Sequence, residues 1–204
     1  MKFNKNKFVY IISPSKIYKS FFTDLEKILR LKRVSFFQLR LKKKSFKEKL
    51  IIGKKIKRIC KKFKVKFLIN DDVYLSKQLN ADGCHLGQND MNISDARKLI
   101  GNKIIGITCH NSIKLAKIGI KNGADYLAFG AFNLSKTKKV KYRASLDLLK
   151  RARKITKRPI VVIGGINFEN YKKLLLNKAN LLAISGYIWK NKKLKPLEAI
   201  RKLK

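Results

Sequence analysis

Short apolar runs alternate with longer amphipathic runs along the whole chain. The apolar runs have the length of buried strands, and in the longer runs the apolar residues recur at the spacing of one helix face. Strands are predicted at residues 8–13, 36–41, 66–70, 83–88, 103–109, 126–132, 159–166 and 181–185. Helices are predicted near residues 20–31, 46–62, 73–80, 94–100, 112–122, 145–156, 168–177 and 195–203.

The number of alternations indicates the fold class. Eight strand–helix alternations in 204 residues, with no long linker, predict an α/β fold: a (β/α)8 TIM barrel that forms a single domain over residues 1–204. A doubly wound open sheet is the alternative, although it normally has fewer strands at this length.

The stretch from residue 66 to residue 90 contains two acidic clusters at strand ends. The strand over 66–70 stops at Asn70-Asp71-Asp72, and the strand over 83–88 ends at Gln88-Asn89-Asp90. Because neighbouring strands linked by a helix are almost always parallel, both clusters should lie at the same edge of the sheet. We therefore expect Asp71 and Asp90 to lie close together, which suits a hard divalent cation held by one or two carboxylates.

A barrel also requires its functional groups to gather at the C-terminal strand ends, on the face that points inward. Side chains alternate between the two faces of a strand, so Gln38, Arg40 and Lys42 share one face, opposite the face of Leu39 and Leu41. Three polar residues on one face of a buried strand carry a desolvation cost that points to a function. The same alternation groups Gly106, Thr108 and His110 in the fifth strand, and Ala183 and Ser185 in the eighth.

Two kinds of anion site are predicted at this end of the barrel. Arg40 and Lys42 beside paired carboxylates suggest a pyrophosphate bridged by a metal ion. Lys138 follows the sixth strand, but its lysine neighbours prevent its selection from spacing alone. Gly164-Gly165 ends the seventh strand ahead of Asn167, a candidate helix cap, and Ser185 follows the eighth strand. Barrels often bind a phosphate in the loops after these two strands, where backbone N–H groups can face the anion.

The histidines and two further aspartates have less specific interpretations. His110, at the end of the fifth strand, fits either a ligand-binding or proton-transfer group or a helix-entry residue. His85 lies within a strand and is predicted to be a hydrogen-bonded core histidine. Asp82 and Asp125 each precede a strand, so they are predicted to be turn residues at the opposite, N-terminal face of the barrel.

The formal charge of +39 has two interpretations. A basic surface is typical of nucleic-acid binding, but here the lysines recur from end to end and no aromatic-studded RNA motif stands apart, so we favour a lysine-rich composition without specific nucleic-acid binding. The three cysteines have no CxxC spacing, which fits a reducing compartment. No apolar run reaches the roughly 20 residues of a membrane span, so a cytoplasmic protein is expected. The sequence leaves the oligomeric state open.

Several segments in chain order resemble the thiamine phosphate synthase family. They are residues 38–42 (QLRLK), 69–71 (IND), 81–90 (ADGCHLGQND), 106–110 (GITCH), 123–126 (GADY), 137–138 (TK), 163–166 (IGGI) and 184–185 (IS). The family folds as a (β/α)8 barrel and joins a hydroxymethylpyrimidine pyrophosphate to a thiazole phosphate, forming thiamine phosphate and pyrophosphate. The resemblance implies that Asp71 and Asp90 bind Mg²⁺. It implies that the pyrimidine pyrophosphate is held by Gln38, Leu39, Arg40, Leu41, Lys42, Asn70, Thr108 and Lys138, with Arg40, Lys42 and Lys138 stabilising the leaving pyrophosphate. The thiazole phosphate would be held by Ser135, Lys136, Thr137, Gly165, Ile184 and Ser185.

The chain departs from the family pattern at a few positions. Leu41 replaces a glutamate at an outward position, so little effect is expected, and Ser135 and Thr108 each keep a hydroxyl in place of the usual Thr and Ser. The proline common before residue 135 is absent, and Asn133-Leu134 stand there instead. A sister family of thiazole tautomerases uses a histidine at the end of strand five, here His110, and is the alternative function. A tautomerase has no use for a metal–pyrophosphate site, which favours the synthase.

Overall fold

Eight parallel strands form a closed barrel in chain order, as the sequence predicted. The computed structural model describes residues 6–133 and 141–204. The strands are β1 Val9–Ile12, β2 Val34–Leu39, β3 Lys66–Asn70, β4 Gly83–Leu86, β5 Ile104–His110, β6 Tyr126–Gly130, β7 Ile160–Ile163 and β8 Leu181–Ile184. The helices are α1 Phe21–Leu29, α2 Phe46–Lys62, α3 Val73–Gln78, α4 Ile93–Ile100, α5 Ile113–Lys121, α6 Leu146–Ile155, α7 Tyr171–Leu176, α8 Gly186–Trp189 and α9 Pro196–Arg201. The (β/α)8 fold is confirmed, and the open-sheet alternative is wrong because β1 pairs with β8.

Apolar side chains fill two layers, one inside the barrel and one between the strands and the helices. Tyr10, Phe36 and Tyr126 belong to the interior layer. Phe37 and Leu39 belong to the outer layer, which α2 and its neighbouring helices cover. The alternation along β2 therefore has the predicted phase, and it leaves Gln38 on the interior face, where only 2% of the residue is exposed.

Short caps fix the helices that follow the strands. Each cap side chain accepts a hydrogen bond from the backbone N–H three residues later, an interaction that contributes about 1 kcal/mol. The caps of this kind are Ser45, Asp72, Asn92, Ser112 and Ser145. Since the loop that leads into each of these helices leaves the C-terminal end of a strand, the caps also hold loops at that end of the barrel, called here the mouth.

The elements β7, α7 and α8 differ from the sequence-based prediction. Strand β7 ends at Ile163 because Gly164 and Gly165 adopt φ of 107° and 57°, outside the range of an extended strand. Asn167 does not cap the next helix: its side chain accepts from the backbone N–H of Glu169 and Asn170, and α7 begins only after Asn170. Helix α8, of four residues, was not predicted because one turn is too short to show a helical period.

The N-terminal end of the barrel, called here the floor, is stabilised by Asp82 and Asp125, as expected. Asp82 accepts the backbone N–H of Phe67 at 2.9 Å, and Asp125 accepts that of Ile105 at 2.8 Å. Asn180 accepts the N–H of Ile160 at 2.8 Å in the same way. Three residues that precede β4, β6 and β8 thus satisfy backbone donors at the beginning of β3, β5 and β7.

Two further features of the fold are the state of its cysteines and the length of its helices. Cys60, Cys84 and Cys109 are buried and unpaired, and burial raises the pKa of the Cys84 and Cys109 thiols to about 12. In the described ranges, each helix is too short or too polar to cross a membrane.

Candidate active site

Two carboxyl groups meet at the mouth, as the sequence predicted. Asp71 follows β3 with a φ of 64°, and its backbone N–H donates to the carbonyl of His85 at 2.8 Å. Asp90 follows β4, and its Oδ2 accepts the backbone N–H of Gly87 at 2.6 Å. The two carboxyl groups lie within hydrogen-bonding reach of each other. A left-handed backbone conformation, which aspartate tolerates better than most residues, thus turns the chain after β3 at the site.

A lysine balances one member of this pair. Lys42 Nζ lies 3.1 Å from Oδ2 of Asp71. Burial alone would raise the pKa of Asp71, but the hydrogen bond with Asp90 and the Lys42 ammonium together hold that pKa below its ordinary value. Burial and the adjacent Asp71 carboxylate raise the pKa of Asp90. The second negative charge of the pair is therefore less favourable than that of an isolated aspartate.

The pair fits a magnesium ion. Mg²⁺ is a hard cation that is commonly bound by one or two carboxylates and completes its octahedron with water and substrate phosphates. Over residues 6–133 and 141–204, no group of three or more His, Cys, Asp or Glu side chains is arranged for a metal. The described donor set is therefore two carboxylates, which would leave most coordination positions of the ion for other oxygens.

The cations and apolar residues that follow β2 have the predicted alternation. The Arg40 backbone N–H donates to Ser13 Oγ at 2.8 Å, and its partly exposed guanidinium lies near enough to His85 to lower the pKa of that imidazole. Leu41 is 3% exposed and packs in the outer layer. The leucine that replaces the family's glutamate thus points away from the barrel interior, which agrees with the expectation for this position.

Beneath the carboxylates, His85 connects two polar side chains inside the barrel. Its Nδ1 lies 2.9 Å from the Tyr126 hydroxyl, and its Nε2 lies 2.9 Å from Thr108 Oγ1. Burial lowers the pKa of His85 to about 4, and the Arg40 charge acts in the same direction against the opposing effect of Asp71. The imidazole is therefore neutral near pH 7, and the prediction of a hydrogen-bonded core histidine is confirmed.

The tyrosines of this interior network were missed by sequence reasoning. The Tyr126 hydroxyl also lies 2.9 Å from that of Tyr10, and Gln38 Nε2 donates to the Tyr10 hydroxyl at 2.6 Å. A Cβ on Gly106 would lie 1.8 Å from the Tyr126 ring, so the glycine makes room for it. Both tyrosines occupy the inward face of their strands, and this alternation along the strand could have identified them as interior residues.

The residues predicted to bind a phosphate lie at the C-terminal ends of β7 and β8. Gly164 and Gly165 turn the chain there, and Asn170 Nδ2 donates to the Gly165 carbonyl at 2.9 Å. Ser185 Oγ donates to the Ser13 carbonyl at 3.3 Å. The Ile184 side chain packs in the outer layer, so only its backbone can face a ligand in the barrel. Ser135, Lys136, Thr137 and Lys138 lie outside the described residues.

A groove of about 460 Å³ lies beside Asp71 and Lys42, and much of its lining consists of outer-layer residues such as Leu39 and Leu41. Lys49 of α2 lines the same groove and pairs with Asp72 at 2.9 Å. Since Asp72 also caps α3, this ion pair braces the turn that carries Asp71. Sequence reasoning did not identify Lys49, because one lysine among many in α2 has no distinguishing spacing.

His110 is the last residue of β5, as predicted, and has a φ of 50°. The ladder with β6 shifts register between Thr108 and His110, so the simple alternation predicted for this face ends at Thr108. The His110 ring stacks on that of Tyr142 with 4.3 Å between centroids. Burial, with a smaller contribution from Lys141, lowers the pKa of His110.

Comparisons with known proteins identify one family. Residues 9–188 match the family model described as thiamine monophosphate synthase. A thiamine-phosphate synthase of Pelagibacter ubique is 70% identical over the full length of both chains, and that of Erythrobacter litoralis is 38% identical over 89% of this chain and 87% of its own. The solved thiamine phosphate pyrophosphorylase from Pyrococcus furiosus superposes with a TM-score of 0.86 at 26% identity, covering 98% of this chain and 95% of that one. Each of these matches has the same activity in its name, so the tautomerase alternative is not supported. The chain belongs to the thiamine-phosphate synthase family, whose members are transferases of thiamine biosynthesis.

Proposed function

We propose that the mouth of this barrel joins 4-amino-2-methyl-5-(diphosphooxymethyl)pyrimidine to a thiazole phosphate, giving thiamine phosphate and pyrophosphate. The observation that carries the proposal is the meeting of Asp71, Asp90 and Lys42 above the His85–Thr108 pair. This arrangement combines a place for a divalent cation with a fixed positive charge, as a diphosphate requires. The family resemblance supplies the identity of the two substrates.

Asp71 and Asp90 would hold Mg²⁺. When bound, the ion supplies charge neutralisation for the diphosphate oxygens as they leave. Lys42 reaches the same region from β2, since it already contacts Asp71. Arg40 lies close enough to His85 to lower the pKa of that imidazole, so we assign its guanidinium to the same site. With Lys138, Lys42 and Arg40 are the residues that we assign to stabilising the departing pyrophosphate.

Two groups of residues would position the substrates. The pyrimidine pyrophosphate is assigned to Gln38, Leu39, Arg40, Leu41, Lys42, Asn70, Thr108 and Lys138. The thiazole phosphate is assigned to Ser135, Lys136, Thr137, Gly165, Ile184 and Ser185, with Leu41 and Ile184 contributing through the backbone because their side chains are buried in the outer layer. Holding both reactants in one orientation converts an encounter between two molecules into a local step.

The reaction needs no protein nucleophile. The bond between the pyrimidine methylene carbon and the diphosphate oxygen breaks, and its electron pair leaves with pyrophosphate. The thiazole nitrogen then donates its lone pair to the methylene carbocation and closes the new C–N bond. No proton moves in either half of this displacement, which agrees with an interior histidine, His85, that is neutral and hydrogen-bonded at both ring nitrogens. Most of the rate would come from positioning and electrostatics.

A coupled assay tests this proposal. Purified protein with both substrates and Mg²⁺ should release pyrophosphate and form thiamine phosphate in equal amounts, and excess chelator should stop the reaction. Thiazole tautomerisation without metal, together with undetectable coupling, would overturn it in favour of the tautomerase.

We also propose that the enzyme is cytoplasmic and has no specific nucleic-acid binding. Any complex with duplex DNA should weaken steeply as salt rises, whereas a sequence-selective complex that persists at high salt would contradict that part.

A further inference from the structure

An unbroken line of hydrogen bonds crosses the barrel interior below the mouth. Gln38 Nε2 lies 2.6 Å from the Tyr10 hydroxyl, and Tyr10 lies 2.9 Å from that of Tyr126. The Tyr126 hydroxyl lies 2.9 Å from His85 Nδ1, and His85 Nε2 lies 2.9 Å from Thr108 Oγ1. The two tyrosines are at most 1% exposed, so water does not substitute for the hydrogen-bond partners of either tyrosine. This line is called here the interior relay.

The direction of the first bond sets the direction of all the others. An amide nitrogen only donates, so the Tyr10 hydroxyl accepts from Gln38 and donates its single hydrogen to the Tyr126 hydroxyl. The Tyr126 hydroxyl in turn donates its hydrogen to His85 Nδ1, which must therefore carry a lone pair. In a neutral imidazole the proton then sits on Nε2, and Nε2–H donates to Thr108 Oγ1.

The Thr108 hydroxyl is the last member of the relay. Its oxygen accepts from His85, so its own hydrogen cannot point back along the line. Among the residues described, no side-chain or backbone acceptor takes that hydrogen. Thr108 is partly exposed at the end of β5, next to the mouth.

We infer that the interior relay makes His85 a positioning residue: it holds the imidazole as the Nε2–H tautomer and presents the Thr108 hydroxyl to the substrate as a hydrogen-bond donor. The inference rests on the proposed function, in which Thr108 contacts the pyrimidine substrate. A donor at this place selects a substrate atom with a free lone pair, such as a ring nitrogen or a diphosphate oxygen. It favours such an atom over an N–H group, because an N–H at that place would leave the Thr108 hydrogen without an acceptor.

The opposite polarity is the specific alternative. If Gln38 presented its amide oxygen to Tyr10, every hydrogen in the relay would reverse. His85 would then carry its proton on Nδ1, and Thr108 would donate to His85. In that arrangement Thr108 offers the substrate only an oxygen lone pair. The two directions thus predict opposite tautomers for one residue.

Nitrogen-15 NMR of the imidazole rings in the full, substrate-free chain separates the two directions. The chain has 2 histidines, so a His110→Asn variant assigns the His85 signals without ambiguity. The inference expects a protonated Nε2 and an unprotonated Nδ1 at about pH 8, where a histidine is neutral. A protonated Nδ1 would overturn it.

Two matched hydroxyl deletions show whether Tyr126 sets the tautomer. Tyr126→Phe removes the donor to Nδ1, so His85 should become a mixture of both tautomers. Tyr10→Phe removes an equally buried hydroxyl and separates Tyr126 from the Gln38 donor, so the preference for the Nε2–H form should weaken in this variant as well. A Tyr10→Phe spectrum identical to that of wild type would show that Gln38 does not set the direction and would overturn the relay. The wild-type spectrum decides the direction even if one variant folds poorly.

A double-mutant cycle tests the effect on catalysis. Tyr126→Phe should lower kcat/KM for the pyrimidine substrate about tenfold in the wild-type background, as expected for one misdirected hydrogen bond. In a Thr108→Val background the same change should cost less than about twofold, because the hydroxyl it orients is gone. Equal losses in both backgrounds would mean that Tyr126 is merely structural and would overturn the inference.

The two proposals fail in different ways. A protein that forms thiamine phosphate but shows the Nδ1–H tautomer retains the proposed function and loses the relay direction. A protein with the Nε2–H tautomer that forms no thiamine phosphate retains the polarised relay and loses the proposed function.

Discussion

The mouth and the floor of the barrel place the same kind of side chain in opposite surroundings. At the floor, the Asp125 carboxylate accepts from the Ile105 backbone and from Arg97, both at 2.8 Å. At the mouth, the carboxyl groups of Asp71 and Asp90 face each other, with Lys42 beside one of them. The floor carboxylate thus has donors on the protein, whereas the mouth pair retains charge that a ligand can satisfy.

This difference separates stability from function in the same fold. Asp125, Asp82 and Asn180 occupy corresponding places before alternate strands, and each satisfies a backbone N–H that would otherwise be buried without a partner. Arg97 contacts Asp125 and Arg153 contacts Asn180 in the same way, so the brace is repeated around the floor. Nothing in that pattern requires a ligand. A mutation at either end should therefore affect one property and leave the other.

Removing a mouth carboxylate should have the largest effect. Asp90→Ala is expected to lower turnover about 10³-fold, because it deletes half of the proposed metal site and its electrostatic support for the leaving group. Steady-state pyrophosphate release measures the loss, and urea unfolding should remain within about 1 kcal/mol of wild type. Asp95→Ala, at a carboxylate on α4 whose side chain is 51% exposed, is the control and should retain activity within about twofold. A large loss of stability in Asp90→Ala would break the comparison.

Two lysines of similar exposure provide the next test. Lys42, 59% exposed, pairs with Asp71 at the mouth, and Lys66, 54% exposed, pairs with Asp82 at the floor. Lys42→Met should lower turnover about 10²-fold, since it removes a charge from the proposed diphosphate site. Lys66→Met should change the free energy of unfolding by less than about 1 kcal/mol, because exposed ion pairs contribute little, and should leave turnover unchanged. Equal activity losses would show that the pairing itself, and not its position, matters.

Removing a floor carboxylate should reverse the pattern. Asp125→Ala leaves the Ile105 N–H and Arg97 without their partner, so the free energy of unfolding should fall by about 2–3 kcal/mol in urea titrations. Turnover per folded molecule should stay near wild type. Asp125→Asn keeps an acceptor oxygen, like the one that Asn180 provides at its own position, so it should lose less stability than Asp125→Ala. A catalytic defect in folded Asp125→Ala would contradict the division between the two ends.

The smallest expected effect concerns the pH dependence of stability. The pKa of His85 is about 4 in the folded chain, below the ordinary value of about 6.5 that applies when unfolded. As pH falls from 6.5 towards 4, His85 binds a proton in the unfolded chain but not in the folded chain. The folded state therefore loses stability. Since His85 is partly exposed, we expect the loss between pH 7 and pH 5 to be about 1 kcal/mol greater in wild type than in His85→Gln. Urea unfolding at both pH values measures it, and equal slopes would show that His85 is not held neutral.

Much of the mouth was predictable because strand parity and strand ends are local properties. The positions of Gln38 and Leu41 on opposite faces followed from a period of two, and the meeting of Asp71 with Asp90 followed from the right-handed crossover between parallel strands. The end of β7 was less predictable. Residues 159–166 are apolar throughout, and only the positive φ of Gly164 and Gly165 ends the strand before Ile166.

The sequence by itself determined the barrel, the carboxylate pair and the family, because apolar periodicity and motif order are written along the chain. Only the tertiary structure decided that Tyr10 meets Tyr126, 116 residues away, and that Asp72 binds Lys49 from another helix. Such pairings depend on how eight strands close on one another, and no local pattern encodes the distance between two side chains in different strands. The hydrogen-bond direction inside the barrel, and with it the character of the Thr108 hydroxyl, follows from that closure.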